Sequence, residues 1–212
     1  MILVLFYVAI ALGFIPFILL IFNKRVFNIK EPLVVFSWLM IIGSLYELIG
    51  TAWLQIDTKY WFQLYSLLEF LALYYYFSYK SDYKNKNIFR FFLILFVLVY
   101  VTSFFNWSES NSLFRKAITK LVTTSFVFVA FGLWVKKKFE KKIIFNLFNT
   151  SDFYFVSGII IYFASTFITF LSANYIYYNT SSNLNDYWII IIYANIVFRI
   201  LISISVWKTK HS

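Results

Sequence analysis

The sequence predicts an all-α membrane protein of seven transmembrane helices, with its N-terminus outside and its C-terminus cytoplasmic. Three observations carry that expectation. Hydrophobic residues make up 62% of the 212-residue chain and charged residues only 13%, whereas a soluble domain averages about 45–50% apolar and about 25% charged. The apolar residues gather into seven runs, each near the roughly 20 residues that an α-helix needs to cross a bilayer. Lysine and arginine fall almost wholly in alternate gaps between those runs, the asymmetry that leaves positive loops on the cytoplasmic side.

The runs lie at about 2–22, 33–55, 60–79, 88–105, 117–135, 152–172 and 186–207, so residues 1–212 read as one membrane domain with no room for a soluble one. Each run should be helical, because a segment surrounded by lipid must satisfy its own backbone. The alternation of a β-barrel strand is missing from all of them. In the first span no basic n-region or A-x-A site is seen, and Lys24 and Arg25 follow it; that arrangement predicts a retained helix rather than a signal peptide. Pro16 should kink this span modestly, and Pro32 opens the second, where its missing N–H costs nothing. The third span carries a glutamate and the fourth is the shortest.

Orientation follows from the gaps. Lys24, Arg25 and Lys30 lie after span one, Lys80, Lys84, Lys86 and Arg90 after span three, and Lys136, Lys137, Lys138, Lys141 and Lys142 after span five, with Lys208 and Lys210 in the tail. Only Lys59, Arg115 and Lys116 stand on the opposite side. The stretch KKKFEKKIIFNLFNTS reads either as a short surface helix or as a ragged start to span six. The segment ANYIYYNTSSNLND reads as an outer loop, with Asn179-Thr-Ser a formal glycosylation pattern of low specificity.

Composition also excludes chemistries. With no cysteine, disulfides, thiolate catalysis and cysteine metal sites are absent. The one histidine, His211, rules out a three-histidine zinc centre, so no catalytic residue, metal or cofactor is expected. The net charge of +10 is assigned to lipid head groups and orientation, not to nucleic acid.

The sharpest clue is ionisable side chains within the spans, each costing about 2.5–3.5 kcal/mol at a helix centre on insertion scales. They are Glu47 in span two, Glu69 in span three and Arg199 in span seven. At 1.5 Å per residue the carboxylates lie roughly 12–14 Å below the outer boundary and Arg199 roughly 19 Å, so Arg199 reaches either one. Lys120, near the outer end of span five, is expected to snorkel to the interface. Polar neighbours share faces with these groups: Tyr65 and Ser66 with Glu69, Asn195 and Ser203 with Arg199, Ser37, Ser44 and Thr51 with Glu47, and Gly158, Tyr162, Ser165 and Thr169 along span six. Polar faces turn inward in a lipid-embedded bundle. Glu47, Glu69, Arg199, Asn195, Tyr65, Ser66, Tyr162 and Ser165 are therefore the candidate polar interior, formed by spans two, three, six and seven. An internal ion pair, a ligand pocket or permeation path, and carboxylate acid–base chemistry all remain open for it. Trp61, Trp107, Trp188 and Trp207 are expected in interfacial belts, and Tyr74-Tyr75-Tyr76 as a boundary anchor. Few glycines leave bulky Phe and Leu packing as the expected rule.

Tyr65-Ser-Leu-Leu-Glu-Phe70, the run Gly158-Ile-Ile-Ile-Tyr-Phe-Ala-Ser-Thr-Phe167, and Trp188 with Asn195 and Trp207 resemble a family of small, uncharacterised bacterial seven-helix integral membrane proteins. The resemblance covers about a third of the chain and implies the fold and a membrane location, but no activity. The expectation is a multi-pass protein of the bacterial inner membrane, in contact with the lipid bilayer and with a cytoplasmic or membrane-protein partner. Its expected role is a sensor or accessory subunit; the alternatives are a small transporter or channel using the carboxylates, and an intramembrane lipid-modifying enzyme.

Overall fold

The computed structural model describes residues 2–56, 59–81, 85–105, 112–140, 148–179 and 184–209, and side chains within them except at 59–60, 112–114, 170–179 and 184–188. Those residues form α1 (Ile2–Phe22), α2 (Pro32–Leu45), α3 (Lys59–Lys80), α4 (Lys86–Phe105), α5 (Ser112–Glu140), α6 (Ser151–Asn179) and α7 (Leu184–Lys208), with no strand among them. A π-helix over Tyr46–Trp53 continues α2. The second span is thus two helix types in series, not the single α-helix expected over 33–55.

Six of the helices are long and apolar enough to cross a membrane, so the chain has the architecture of a multi-pass membrane protein. The helix outside that set is α3. Its Gln63, Glu69 and tyrosines dilute its hydropathy, yet Gln63, Glu69, Tyr76 and Ser78 are all buried. The polarity of α3 faces the interior.

Local signals set the helix ends. Lys24 takes a left-handed conformation (φ 55°) while Lys24 N–H donates to Ile21 O and Arg25 N–H to Leu20 O, a Schellman closure that satisfies the last carbonyls of α1. Pro32 is the first residue of α2, and its N-cap Glu31 makes no capping bond. Instead the Glu31 carboxylate accepts from Arg25 Nη2 and Asn28 Nδ2, both at 2.8 Å.

The helices close into a ring. α1 packs on α2 and α7, α7 on α6, α6 on α5, α5 on α3 and α4, and α3 on α2 and α4. Lipid tails are as apolar as leucine, so such packing relies on van der Waals fit more than on water exclusion. Aromatic rings supply it. Phe126 of α5 lies within 5.3–5.8 Å of Phe70, Phe89 and Phe92, and Phe70 stacks on Phe96 at 3.8 Å. On the other side, Phe36 of α2 meets Phe155 and Phe198 edge-on at 5.1 and 5.8 Å. The outward faces are apolar too: Phe91, Ile94 and Leu98 of α4 are about 60% exposed, where a soluble protein would place polar groups.

One sequence expectation about aromatics needs correction. Tyr76 is no boundary anchor; it is 1% exposed and its hydroxyl donates to Asp152 Oδ1 at 3.2 Å. Trp61 stacks on Tyr46 at 4.1 Å. Trp207 is exposed, whereas Trp107 and the side chain of Trp188 lie outside the description. So do residues 141–147, where the surface-helix expectation falls.

Glycines also matter more than the aromatic composition implies. A Cβ on Gly158 would meet Leu201 Cβ at 3.1 Å and Phe198 Cδ2 at 3.3 Å, and one on Gly43 would meet the Tyr65 ring at 2.9 Å. Single glycines at crossings let large neighbours close the gap. Gly158→Leu is expected to destabilise the α6–α7 contact by about 1–3 kcal/mol, the usual penalty of overpacking, read as a lower unfolding midpoint in detergent.

Candidate functional site

Two ion pairs, each with a buried cation, meet in the bundle interior. Arg199 of α7, 5% exposed, is the first hub. Its Nη1 donates to the Ala9 carbonyl of α1, its Nε to Asn195 Oδ1 at 2.8 Å, and its Nη2 to Glu47 Oε2 at 3.1 Å. Gly13 makes the approach possible, because a Cβ there would overlap Ser44 Oγ and come within 2.9 Å of Arg199 Nη1. Gly13→Ala is accordingly expected to weaken the α1–α7 contact even though alanine is the better helix former; thermal unfolding of the variant checks the sign.

Glu47 lies in the first turn of the π-helix, and its side chain is 30% exposed against 6% for Arg199. The wider π turn recurs at functional sites in other helices. Here it ends at Trp53, and two residues on, Gln55 takes a left-handed conformation (φ 51°).

The second pair was not foreseen. Lys120 of α5 does not snorkel: it is buried, and its ammonium donates to Glu69 Oε2 of α3 at 3.0 Å. The rings of Tyr162 and Phe163 face the same nitrogen at 4.7 and 4.2 Å, so carboxylate and π-faces together replace its water. The expected span began at 117, which put Lys120 at a helix end. α5 begins at Ser112, which carries Lys120 eight residues, about 12 Å, along the helix. A usable signal was present: Thr119, Thr123 and Thr124 flank Lys120 on a buried polar face.

Between the pairs lies a cavity of about 310 Å³. Of the candidate interior residues, Glu47, Glu69, Arg199, Asn195, Tyr65, Ser66 and Tyr162 all line it. Ser165 does not. It is exposed, while Thr166 beside it is buried and its hydroxyl donates to Tyr162 O at 2.7 Å. The buried stripe of α6 runs through Phe155, Ile159, Phe163 and Thr166, and at 100° per residue Ser165 points almost opposite to Phe163.

The walls come from more helices than spans two, three, six and seven: α1 adds Phe6 and Ala9, α4 adds Ser103, and α5 adds Lys116, Thr119, Lys120 and Thr123. Trp61, Phe62, Tyr65, Tyr162 and Phe198 supply aromatic surface. Gln63, which lines the cavity, is 7% exposed, and its Nε2 is buried with no hydrogen-bond partner. A buried amide donor without an acceptor carries a desolvation penalty that an occupant with an acceptor atom removes. Among the described residues no group of three or more His, Cys, Asp and Glu side chains gathers to hold a metal ion. Compared with known proteins, the chain matches no family model, no curated protein and no solved structure.

Proposed function

We propose that this chain is a seven-span protein of the bacterial inner membrane, N-terminus outside, that binds a small ligand in the outer half of its interior. The bound state would be passed to a cytoplasmic or membrane partner, the role of a sensor or accessory subunit. One observation carries the reading: both intramembrane carboxylates, both buried cations and six aromatic side chains converge on one 310 Å³ cavity. That volume falls at the lower end of the roughly 300–1,000 Å³ typical of ligand sites. Aromatic walls and the unsatisfied Gln63 amide favour a largely apolar molecule with a hydrogen-bond acceptor. Such a ligand would sit between two ion-paired couples, α7 with the π-helix and α5 with α3, so occupancy has a direct route to helix movement.

The reading is tested by extracting the purified protein and identifying small molecules by mass spectrometry. One compound near stoichiometry is expected. It should be lost in Ser103→Phe, which fills the cavity from α4 and leaves both ion pairs in place. A wild-type protein that carries nothing, or a compound that persists in Ser103→Phe, overturns the binding reading.

Topology has its own test. The chain has no cysteine, so single introduced cysteines report cleanly. An impermeant maleimide added to whole cells should label Ile56→Cys and leave Phe139→Cys untouched. The reverse pattern refutes the orientation, and labelling of both refutes a seventh span in α3.

A second reading, proton or cation transport, is favoured by the partial exposure of Glu47 beside a buried arginine. Flux in proteoliposomes that disappears in Glu69→Gln would select it over sensing.

A further inference from the structure

At the opposite, lysine-rich end of the bundle, the ends of α3 and α5 and the start of α4 enclose two pockets with Phe89 as a common wall. The first, about 170 Å³, is lined by Lys80, Asn85, Trp134, Lys136 and Lys137 among others. The second, about 230 Å³, is lined by Ser78, Lys86 and Arg90. Two polar atoms here are buried without a hydrogen-bond partner: Trp134 Nε1, in a residue 8% exposed, and Ser78 Oγ, in a residue 6% exposed. Each lies in a residue that lines one of the pockets.

We propose that this double pocket seats the phosphodiester head group of an anionic phospholipid. The indole N–H can only donate, so its missing partner is an acceptor. Among the described residues the charge here is mainly positive, which selects an anionic one: Lys80, Lys136, Lys137, Lys86 and Arg90 line the pockets with Glu140, and Lys80 also holds Asp152 at 2.6 Å. Basic pockets between helices at the cytoplasmic end of a bundle have the chemistry for lipid phosphates. A phospholipid fits better than a free ion because the same helices continue into apolar outer surface: Phe91, Ile94 and Leu98 of α4 are exposed for most of their area, along the path that acyl chains would follow. The proposal rests on the membrane reading above and uses neither of the buried pairs in the outer cavity.

The test is native mass spectrometry and thermal unfolding of the full chain in detergent. It is titrated separately with dioleoylphosphatidylglycerol, dioleoylphosphatidylcholine and sodium phosphate. Phosphatidylglycerol alone is expected to bind tightly at one copy per chain and to raise the unfolding midpoint. Trp134→Phe keeps the ring and removes only the N–H donor; it should weaken that binding about tenfold, the loss expected for one hydrogen bond to a charged group. Lys136→Gln, at a side chain 73% exposed, should weaken it less.

Equal binding of both lipids overturns the proposal. So does a phosphatidylglycerol preference unchanged in Trp134→Phe, which would assign the effect to diffuse surface charge. A midpoint shift reproduced by sodium phosphate alone overturns the lipid as source. None of these results bears on the outer cavity, whose co-purified compound is measured independently.

Discussion

Glu69→Gln is expected to lower the stability of the protein by about 3–5 kcal/mol, the usual consequence of removing one partner from a buried ion pair. The Lys120 ammonium would be left facing the Tyr162 and Phe163 rings, and a cation–π contact of about 0.5–2 kcal/mol does not replace a carboxylate. Lys120→Met should be comparably damaging, because it strands the carboxylate. The double variant Glu69→Gln/Lys120→Met removes both charges and should recover most of the loss. Neutral interhelical hydrogen bonds in membranes average only about 0.6 kcal/mol, so the two classes of interaction are separable by size. Reversible unfolding in mixed micelles, run as a double-mutant cycle, measures the coupling. A single-variant loss under about 1 kcal/mol would mean that the pair is well hydrated from the adjoining cavity and does not behave as a buried one.

Replacing Arg199 with methionine is expected to have an effect of the same order, by a different route. The guanidinium serves three acceptors in fixed directions: the Ala9 carbonyl, Asn195 Oδ1 and Glu47 Oε2. Its loss loosens α1 and the π-helix from α7 together, and leaves Glu47 facing the cavity without a counter-charge. Arg199→Lys should rescue less than half of the loss, since a compact ammonium cannot reproduce the planar fork. Glu47→Gln should cost clearly less than Arg199→Met, because Glu47 is 30% exposed and screened. The rank order Arg199→Met, Arg199→Lys, Glu47→Gln, from worst to mildest, is the observable. Equal values for all three would contradict an arginine-centred hub.

Helices and their inward faces were readable from the chain because lipid imposes a simple rule: apolar length makes a span, and polar residues at i, i+4 spacing turn inward. Glu47, Glu69, Asn195 and Arg199 follow that rule into one site. The pairing did not follow, since 1.5 Å of rise per residue gives depth but not which helices are neighbours. Arg199 was equidistant in that sense from both carboxylates; the α1–α2–α7 contact selects Glu47 and leaves Glu69 to α5. Lys120 was misread through a boundary error of five residues, and a lysine near a span end has an easy alternative in snorkelling. Ser165 was misread because adjacent residues on one helix compete for a stripe, and Phe163 decided the phase. The π-helix had no signal at all in the hydrophobic pattern.

Arg199 reaches Ala9 across 190 positions of sequence, and Arg25 Nη1 reaches Thr209 O across 184, at 2.9 Å. Helices α1 and α7 therefore run parallel, side by side, and are stitched at two levels. A ribosome delivers α1 long before α7, so during synthesis α1 sits in lipid without the arginine that later anchors it. Closure of the ring between α1 and α7 therefore waits for α7, and co-expressed halves divided between α4 and α5 should find each other through that seam.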